Sequence, residues 1–364
     1  MEVENPNSAN APPSAFPMAK GDGEDSYSKN SQFQAFMSKV PTTALDEVLE
    51  KVTLPSGTGP VRVADMGSSS GPNTIATVAH IVDKLRHRLP ESVEFQGYFN
   101  DTPSNDVNNL FQLLSNDSRA KTFYAAGAPG SFYGRIFPRS SIHVFHSAQA
   151  VHWLSKIPDG ILDKKSPAYN GSQPWYQHSK SAVAKSFQQQ ALLDLQNFFT
   201  ARAAEMVSGG LLFLLMNARE TSKPEEIEDD LVYNAQTDFA EILSGLVAEG
   251  LVTEEQYSTF NFQGYHRSSE DIMEALKCCG SAFTLEIMKV HKIDFKEAFA
   301  GVDATALPKT LTGFFKGASN PLMEGHFGMN AAQVFWQRHE KLMEKKAGTR
   351  PEILTNWIIG LIRN

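Results

Sequence analysis

Four groups of residues along this chain have the types and the spacing to do chemistry. The first is Asp65-Met-Gly67-Ser-Ser69-Ser-Gly71, a carboxylate followed by two glycines. The glycines let the backbone turn tightly and approach a ligand closely. A carboxylate at that point can take a ribose hydroxyl or a ligand cation. The second is Asn100-Asp101-Thr102, where one carboxylate can accept both hydroxyls of a ribose. The third is Ser131-Phe132, presented by a Gly/Pro turn, with a flat ring suited to stacking on a base. The fourth is Ser147-Ala-Gln149, followed by His152-Trp153. Each has a plain structural alternative. Acids commonly cap loops, and a lone buried His or Trp is more often core than ligand. A His-Trp pair just past a strand is better placed for function.

The elements that must position these groups can be read from pattern. Residues 61–64 read as a short buried strand, closed by Asp65, and residues 74–85 as a helix. Strand, glycine-rich turn and helix form the opening unit of a doubly wound α/β fold, which binds ligands at the carboxyl ends of its strands. A second strand ends in Asn100 and Asp101, and a capped helix follows over 107–114. Residues 142–146 make another strand, 182–206 a long helix, and 211–216 an apolar central strand. Beyond Glu220 the pattern predicts helices over 229–249, 269–278, 331–345 and 351–363, a short turn near Phe314 and Phe315, and a late strand within 281–291. Helices are also expected over 31–40 and 42–52. The expected architecture is a sheet core with helical insertions capping the strand carboxyl ends.

The glycine loop admits several ligands. A dinucleotide loop wants Gly-x-Gly-x-x-Gly, which Ser69 and Ser70 spoil. A kinase-type phosphate loop needs a Gly-Lys-Ser/Thr ending, which is absent. Gly67-Ser-Ser69-Ser-Gly71 matches the Gly-x-Ser-x-Gly elbow of α/β-hydrolases, with Ser69 as nucleophile. It also matches the Asp-x-Gly-x-Gly-x-Gly loop of S-adenosylmethionine (SAM) methyltransferases with Ser69 at the middle glycine. That last reading alone gives Asp65 a role.

Composition narrows the classes. A chain of 364 residues with 41% hydrophobic content can bury a sizeable core. Its net charge of −8 argues against a broad nucleic-acid surface. Cys278 and Cys279 are adjacent and no Cys/His zinc pattern exists, so a reduced compartment, the cytoplasm, is expected. No apolar run approaches the roughly 20 residues that span a bilayer, so no membrane partner is expected. Residues 1–17 are rich in Asn, Pro, Ala and Ser, resemble neither a signal nor a transit peptide, and are expected to be disordered.

Taken together, several stretches resemble the SABATH plant methyltransferases, which move a methyl group from SAM to the carboxylate of small acids such as salicylate, benzoate, jasmonate and indole-3-acetate, or to xanthine nitrogens in one branch. The matching stretches are Asp25-Ser-Tyr-Ser-Lys-Asn-Ser-Gln-Phe-Gln34, Ala64-Asp-Met-Gly-Ser-Ser-Ser-Gly-Pro-Asn73, Asn100-Asp-Thr-Pro-Ser-Asn-Asp106, Gly130-Ser-Phe-Tyr-Gly-Arg-Ile-Phe-Pro138, His146-Ser147 with His152-Trp-Leu-Ser155, and Phe260-Asn261. They occur in the family's order, and the resemblance runs from about Met18 to Asn364. The resemblance implies a Rossmann-like SAM methyltransferase sheet with an α-helical cap, built as one domain over 18–364 with the cap mainly from about 220–364. It implies that Tyr27, Ser31, Asp65, Asn73, Asp101, Thr102, Ser131, Phe132 and Ser147 surround SAM. Gln34 and Trp153 would donate hydrogen bonds to the substrate carboxylate, with His152 beside them. Tyr265, Phe315, Ala318, Leu354 and Trp357 would line the cap side. It also implies a homodimer.

Four departures stand out. Ala19 occupies the usual lysine position near the entry, Ser68 replaces a common cysteine, and Gln149 replaces a common tyrosine. Some members carry Asp-x-Phe-Asn as part of a Mg²⁺ site; here the stretch is Ser258-Thr-Phe260-Asn261. Losing that carboxylate removes the strongest hard-cation ligand and argues against Mg²⁺, leaving Asn170, Phe260 and Asn261 as its remaining site. The expected reaction needs no general acid or base, because a carboxylic acid is already ionised near neutral pH. The aromatic cap residues suit a cinnamate, benzoate or salicylate type of acid. Indole-3-acetate, jasmonate, a xanthine nitrogen or a thiol are the alternatives, with an esterase and a non-enzymatic small-acid receptor further off.

Overall fold

The computed structural model describes residues 42–54, 59–171, 173–224, 230–298, 303, 305–346, 349 and 352–364. Helix α1 (Thr42–Leu49) leads into β1 (Val61–Met66), α2 (Pro72–Arg86) and β2 (Phe95–Asn100). Then come α3 (Val107–Asn116), β3 (Tyr124–Gly127), β4 (Ile142–Ala148), α4 (Ser181–Glu205) and β5 (Met206–Asn217). Helices α5 (Leu231–Ala248), α6 (Glu254–Thr259) and α7 (Ser269–Lys277) follow. The chain ends with β6 (Phe283–Asp294), α8 (Phe295–Ala298), α9 (Leu307–Phe327), α10 (Met329–Lys346) and β7 (Ile353–Arg363).

The seven strands form one sheet in the order β3-β2-β1-β4-β5-β7-β6. Strands β1 to β5 are mutually parallel, and β7 runs antiparallel to both its neighbours. The order reverses at β1, between β2 and β4, which opens a crevice beyond their carboxyl ends. Central strands are apolar throughout because both faces are covered. Val61, Val63, Leu211, Phe213 and Ile358 face a core shared with α1, α2 and α3. Ala64, Met66, Phe145, Leu212 and Ile359 face one shared with α4 and α7. Helix α2 starts at Gly71-Pro72, where proline's missing N–H costs nothing, and ends with Lys84 and Arg86 against the carboxyl end of the helix dipole.

Two expected elements differ. Of the helix expected over 351–363, residues 353–363 are instead strand β7. Its run of Ile, Trp and Leu is buried on both faces, and a doubly buried strand has no period to separate it from a buried helix. The sheet leaves no room for a side chain at Gly360, where a Cβ would lie 2.7 Å from Ile287 Cγ2. The turn expected near Phe314 and Phe315 lies inside α9, which continues through Gly313, Gly317 and Pro321 despite these breakers. A four-residue edge strand, β3, also went unread, because Tyr-Ala-Ala-Gly has little strand propensity and is mostly exposed.

The chain from 220 onward therefore divides. β6 and β7 return to the sheet, and α7 packs with it through Ile272 and Ala275. Helices α5, α9 and α10 build a separate core around Phe239, Leu243, Phe335 and Trp336, to which Trp175 and Phe260 also contribute. That core meets the sheet through the segment after β4: Trp153 bridges Gly264, and Ala218, just past β5, bridges Arg267. Among the described residues no helix is long and apolar enough to cross a membrane.

Candidate active site

The loop after β1 is built by its neighbours. Gly67 N and Ser68 N both donate to Asn100 O at 2.9 Å. Gly67 has φ +77, and a Cβ on it would lie 2.3 Å from Ala150 Cβ. Ser69 has φ +53, the left-handed region that costs an L-residue roughly 1–2 kcal/mol. Three bonds hold it there. Ser69 N donates to Asp101 Oδ2 at 2.7 Å, Asn105 Nδ2 donates to Ser69 O at 2.8 Å, and Asn109 Nδ2 donates to Ser70 O at 3.0 Å. Asn105 and Asn109 escaped the sequence reading; their signal was the Asn-Asp-x-Asn-Asn cluster around the Asp106 cap.

Asp101 accepts one backbone N–H on each oxygen, from Ser69 and from Thr102, both at 2.7 Å. Burial raises its pKa against the lowering effect of these two bonds. Oδ1 also accepts from the Thr102 hydroxyl at 3.4 Å, so lone-pair capacity for a further donor remains on Oδ2. Asp65 is spent differently. Its carboxylate takes Thr74 Oγ1 from the start of α2 and His146 Nδ1 at 2.7 Å from β4, and it is buried. Asp65 thus ties three elements behind the loop. Asn73 is half-buried on the first turn of α2, and Ser147, wholly buried, donates to Met66 O at 2.8 Å.

Phe132 comes to the same loop from the turn after β3, with its ring edge 3.7 Å from a Cβ placed on Gly67. It meets Tyr133 and Phe198 edge-on at 4.7 and 5.9 Å. Ser131 beside it is exposed. An ion pair inside the protein shapes this turn. Arg202, wholly buried on α4, donates to Phe132 O and Gly134 O at 2.9 Å each, and Glu205 pairs with it at 2.6 Å. Glu205 also accepts from Ile136 N and Phe137 N. No local sequence signal marked this pair as supporting the site.

The segment after β4 carries the opposite wall. Residues 263–267 run beside it: Leu154 N donates to Gln263 O at 2.7 Å and Tyr265 N to His152 O at 2.9 Å. Arg267, buried, donates to Val151 O at 2.7 Å. His152 Nδ1 has no partner among the described residues, and burial holds its pKa down to about 3, so the ring is neutral. Trp153 packs on Phe262 at 4.9 Å, and Phe262 on Trp175 at 4.3 Å. Trp175, Phe239 and Phe315 continue this aromatic run into the helical core. Among the described residues no group hydrogen-bonds the Trp153 indole N–H. The network around Phe262 was missed, since Phe262 and Trp175 lie far apart in sequence.

The other cap-side residues fall into two groups. Phe315 and Ala318 are half-buried on α9. Tyr265, Leu354 and Trp357 are buried. The Tyr265 hydroxyl is held between Arg219 and Asp271, and the Trp357 indole donates to Arg267 O at 2.9 Å. Tyr27, Ser31 and Gln34 lie outside the described residues. Asn170 Nδ2 donates to Asn261 Oδ1 at 2.7 Å, while Asn170 Oδ1 accepts from Ser179. Phe260 belongs to the helical core, and Ser258 is half-buried on α6. With both side-chain oxygens engaged and no cluster of acidic, His or Cys ligands among the described residues, this set does not fit a divalent cation.

Residues 13–364 match the model of the SAM-dependent carboxyl methyltransferases. The chain is 33% identical over 347 residues to gibberellic acid methyltransferase 2 of Arabidopsis thaliana, covering 89% of this chain and 88% of that protein. It is 33% identical over 343 residues to indole-3-acetate O-methyltransferase 1 of the same plant, covering 89% and 88%. A solved loganic acid methyltransferase with S-adenosylhomocysteine superposes with a TM-score of 0.85 at 30% identity, covering 96% of this chain and 99% of that one. The Gly-x-Ser-x-Gly match is therefore no hydrolase elbow. The Ser69 N–H binds Asp101, and among the described residues no base hydrogen-bonds its hydroxyl. A match spanning nearly the whole chain and a sheet whose order reverses beside the Asp65 loop place this protein in the SABATH family of SAM-dependent carboxyl methyltransferases.

Proposed function

We propose that this enzyme methylates the carboxylate of a small acid with an aromatic body, of benzoate or cinnamate size. SAM, when bound, supplies a methyl group already activated on a sulfonium. The chain's residues fit it: a Gly67 turn that a Cβ would fill, a buried Ser69 hydroxyl without a partner among the described residues, and an Asp101 carboxylate with spare acceptor capacity. Asp101 and Thr102 would hold the ribose side, Phe132 and Ser131 the adenine side, and Asn73 and Ser147 the loop between. Their task is to orient, not to exchange protons.

The observation that carries the reading is the Trp153 indole N–H, without a partner among the described residues and backed by Phe262 and Trp175. A neutral donor orients a carboxylate oxygen without quenching it as an ion pair would. His152 is neutral beside it and adds no competing charge. Gln34 would be the second donor. In-line transfer then depends on positioning in a dry site, which is where proximity contributes most. Indole-3-acetate is the second reading, favoured by the 33% identical relative that acts on it.

The test is single-turnover methyl transfer at saturating SAM with a panel of benzoates, cinnamates and indole-3-acetate. Trp153→Phe keeps the apolar surface and loses the N–H. It should lower kcat/KM for the acid on the order of 10- to 100-fold while SAM affinity holds, as for one hydrogen bond to a charged group. Equal rates in variant and wild type on every acid would remove Trp153 from this role. A wild type that methylates only xanthines or thiols would end the carboxylate reading for this chain.

A further inference from the structure

Three polar side chains stand in one row across the far half of the sheet. Asn217 on β5 is paired with Asn356 on β7, and Asn356 with His291 on β6. Directly opposed residues of antiparallel strands share a face, so all three project the same way. Gln149, just past β4, closes the row: its Nε2 donates to Asn356 Oδ1 at 2.5 Å. The Gln149 backbone adopts φ +54, and its N–H donates to Leu215 O at 2.8 Å. From the other side His266 Nε2 lies 3.5 Å from Asn217 Nδ2.

These contacts orient both amides and leave an acceptor and a donor over. Among the described residues Asn217 Oδ1 and Asn356 Nδ2 have no partner, with Asn217 only 8% exposed and Asn356 fully buried. His291 Nε2 is unpartnered as well. A buried polar atom left unmade is costly, so such pairs mark a place for something polar. A hydroxyl is the simplest group that donates to one atom and accepts from the other. The row is continuous with the substrate wall, because Tyr265, the residue before His266, donates its N–H to His152 O at 2.9 Å. Gln149 itself lies between Ser147 and His152 on the segment that carries Trp153.

We propose that Asn217 and Asn356 form a specificity subsite for a hydroxyl group carried by the acid substrate. Asn217 Oδ1 accepts its hydrogen bond, and Asn356 Nδ2 donates one to its oxygen. Gln149 is a positioning residue that holds the Asn356 amide in the required orientation. This rests on the carboxylate reading above and adds a second polar group to the substrate, away from the carboxylate. A site built to bond a hydroxyl discriminates against the analogue lacking it more strongly than an apolar pocket discriminates by size.

The experiment compares matched acids on the wild-type enzyme: benzoate against its three ring-hydroxylated isomers, and cinnamate against the corresponding hydroxycinnamates. One hydroxylated member should exceed its parent in kcat/KM by on the order of 10- to 100-fold. Asn217→Leu and, as a milder second variant, Gln149→Leu should bring that ratio towards one, through KM for the hydroxylated acid. Gln149→Leu frees Asn356 to turn towards Asn217, so the two amides satisfy each other. Ratios near one for every wild-type pair would mean the row holds a structural water only, and overturn the subsite while leaving the carboxylate reading intact. A wild-type preference unchanged in both variants overturns it too. Methylation of none of the acids would defeat the carboxylate reading and this inference with it.

Discussion

Asp101 uses one carboxylate for two purposes. It fixes the Ser69 backbone in a left-handed conformation and leaves acceptor capacity facing the crevice. Asp101→Asn should disturb both, since an amide N–H would then face either the Ser69 or the Thr102 N–H. Lost charge-assisted bonds of roughly 1.5–3 kcal/mol correspond to SAM binding weaker by on the order of 10- to 100-fold. Calorimetric SAM affinity equal to wild type in the folded variant would take Asp101 out of the site. At the same scale, His152 titrates far below neutrality. A carboxylic acid is ionised well below pH 6, so no described group on the substrate side should impose a rate change near neutral pH. kcat/KM for the acid should be flat from about pH 6.5 to about pH 9. A bell centred near neutrality would reveal a general base.

Element positions come from polar contacts that cross between distant segments. The Arg202–Glu205 pair on α4 holds the turn that presents Phe132, by binding its carbonyls with one partner and its N–H groups with the other. Glu205→Gln keeps the shape but leaves the buried guanidinium without its counter-charge. Breaking a buried pair from one side costs roughly 3–5 kcal/mol. The melting temperature should therefore fall by several degrees, and SAM affinity should fall with it as Phe132 loosens. Unchanged affinity alongside the thermal loss would assign the pair to stability alone. A similar joint links the segment before α4 to the one after α6, where Asn170 and Asn261 bond to each other. Their oxygens are engaged, so dialysis against EDTA should leave most of the methyl-transfer rate. Activity lost to EDTA and restored by Mg²⁺ specifically would show that a cation displaces this joint.

For the whole molecule, buried histidines set the response to acid. Burial holds His143 and His266 down to about 4 and His152 down to about 3, against an ordinary value of 6.5. Below about pH 6.5 the unfolded chain binds protons that the native chain refuses, so unfolding becomes easier as pH falls. The stabilisation is fully present above that pH and is lost progressively down to about pH 4. Each such group contributes on the order of 1.4 kcal/mol per pH unit in that window. Melting temperature measured from pH 8 to pH 4 should decline below about pH 6.5, and His143→Phe should flatten part of the slope. A melting temperature constant to pH 4.5 would mean these rings protonate in place.

What the amino-acid order determined by itself is what depends on neighbours along the chain. Val61 to Met66, the glycine turn and the helix after Pro72 are written within a few residues, through strand composition, breakers and a cap. So were the carboxylate positions of Asp65 and Asp101 and the His152-Trp153 pair past β4. Tertiary structure decided whatever depends on which distant segments meet. Asp65 faces His146 because β1 and β4 are adjacent in register. Asn217 stands opposite Asn356, and Gln149 reaches Asn356, only because β7 inserts antiparallel between β5 and β6. Residues 351–363 read as a helix for the same reason. A strand buried on two faces shows no period of its own, and only the strands on either side of β7 make it one.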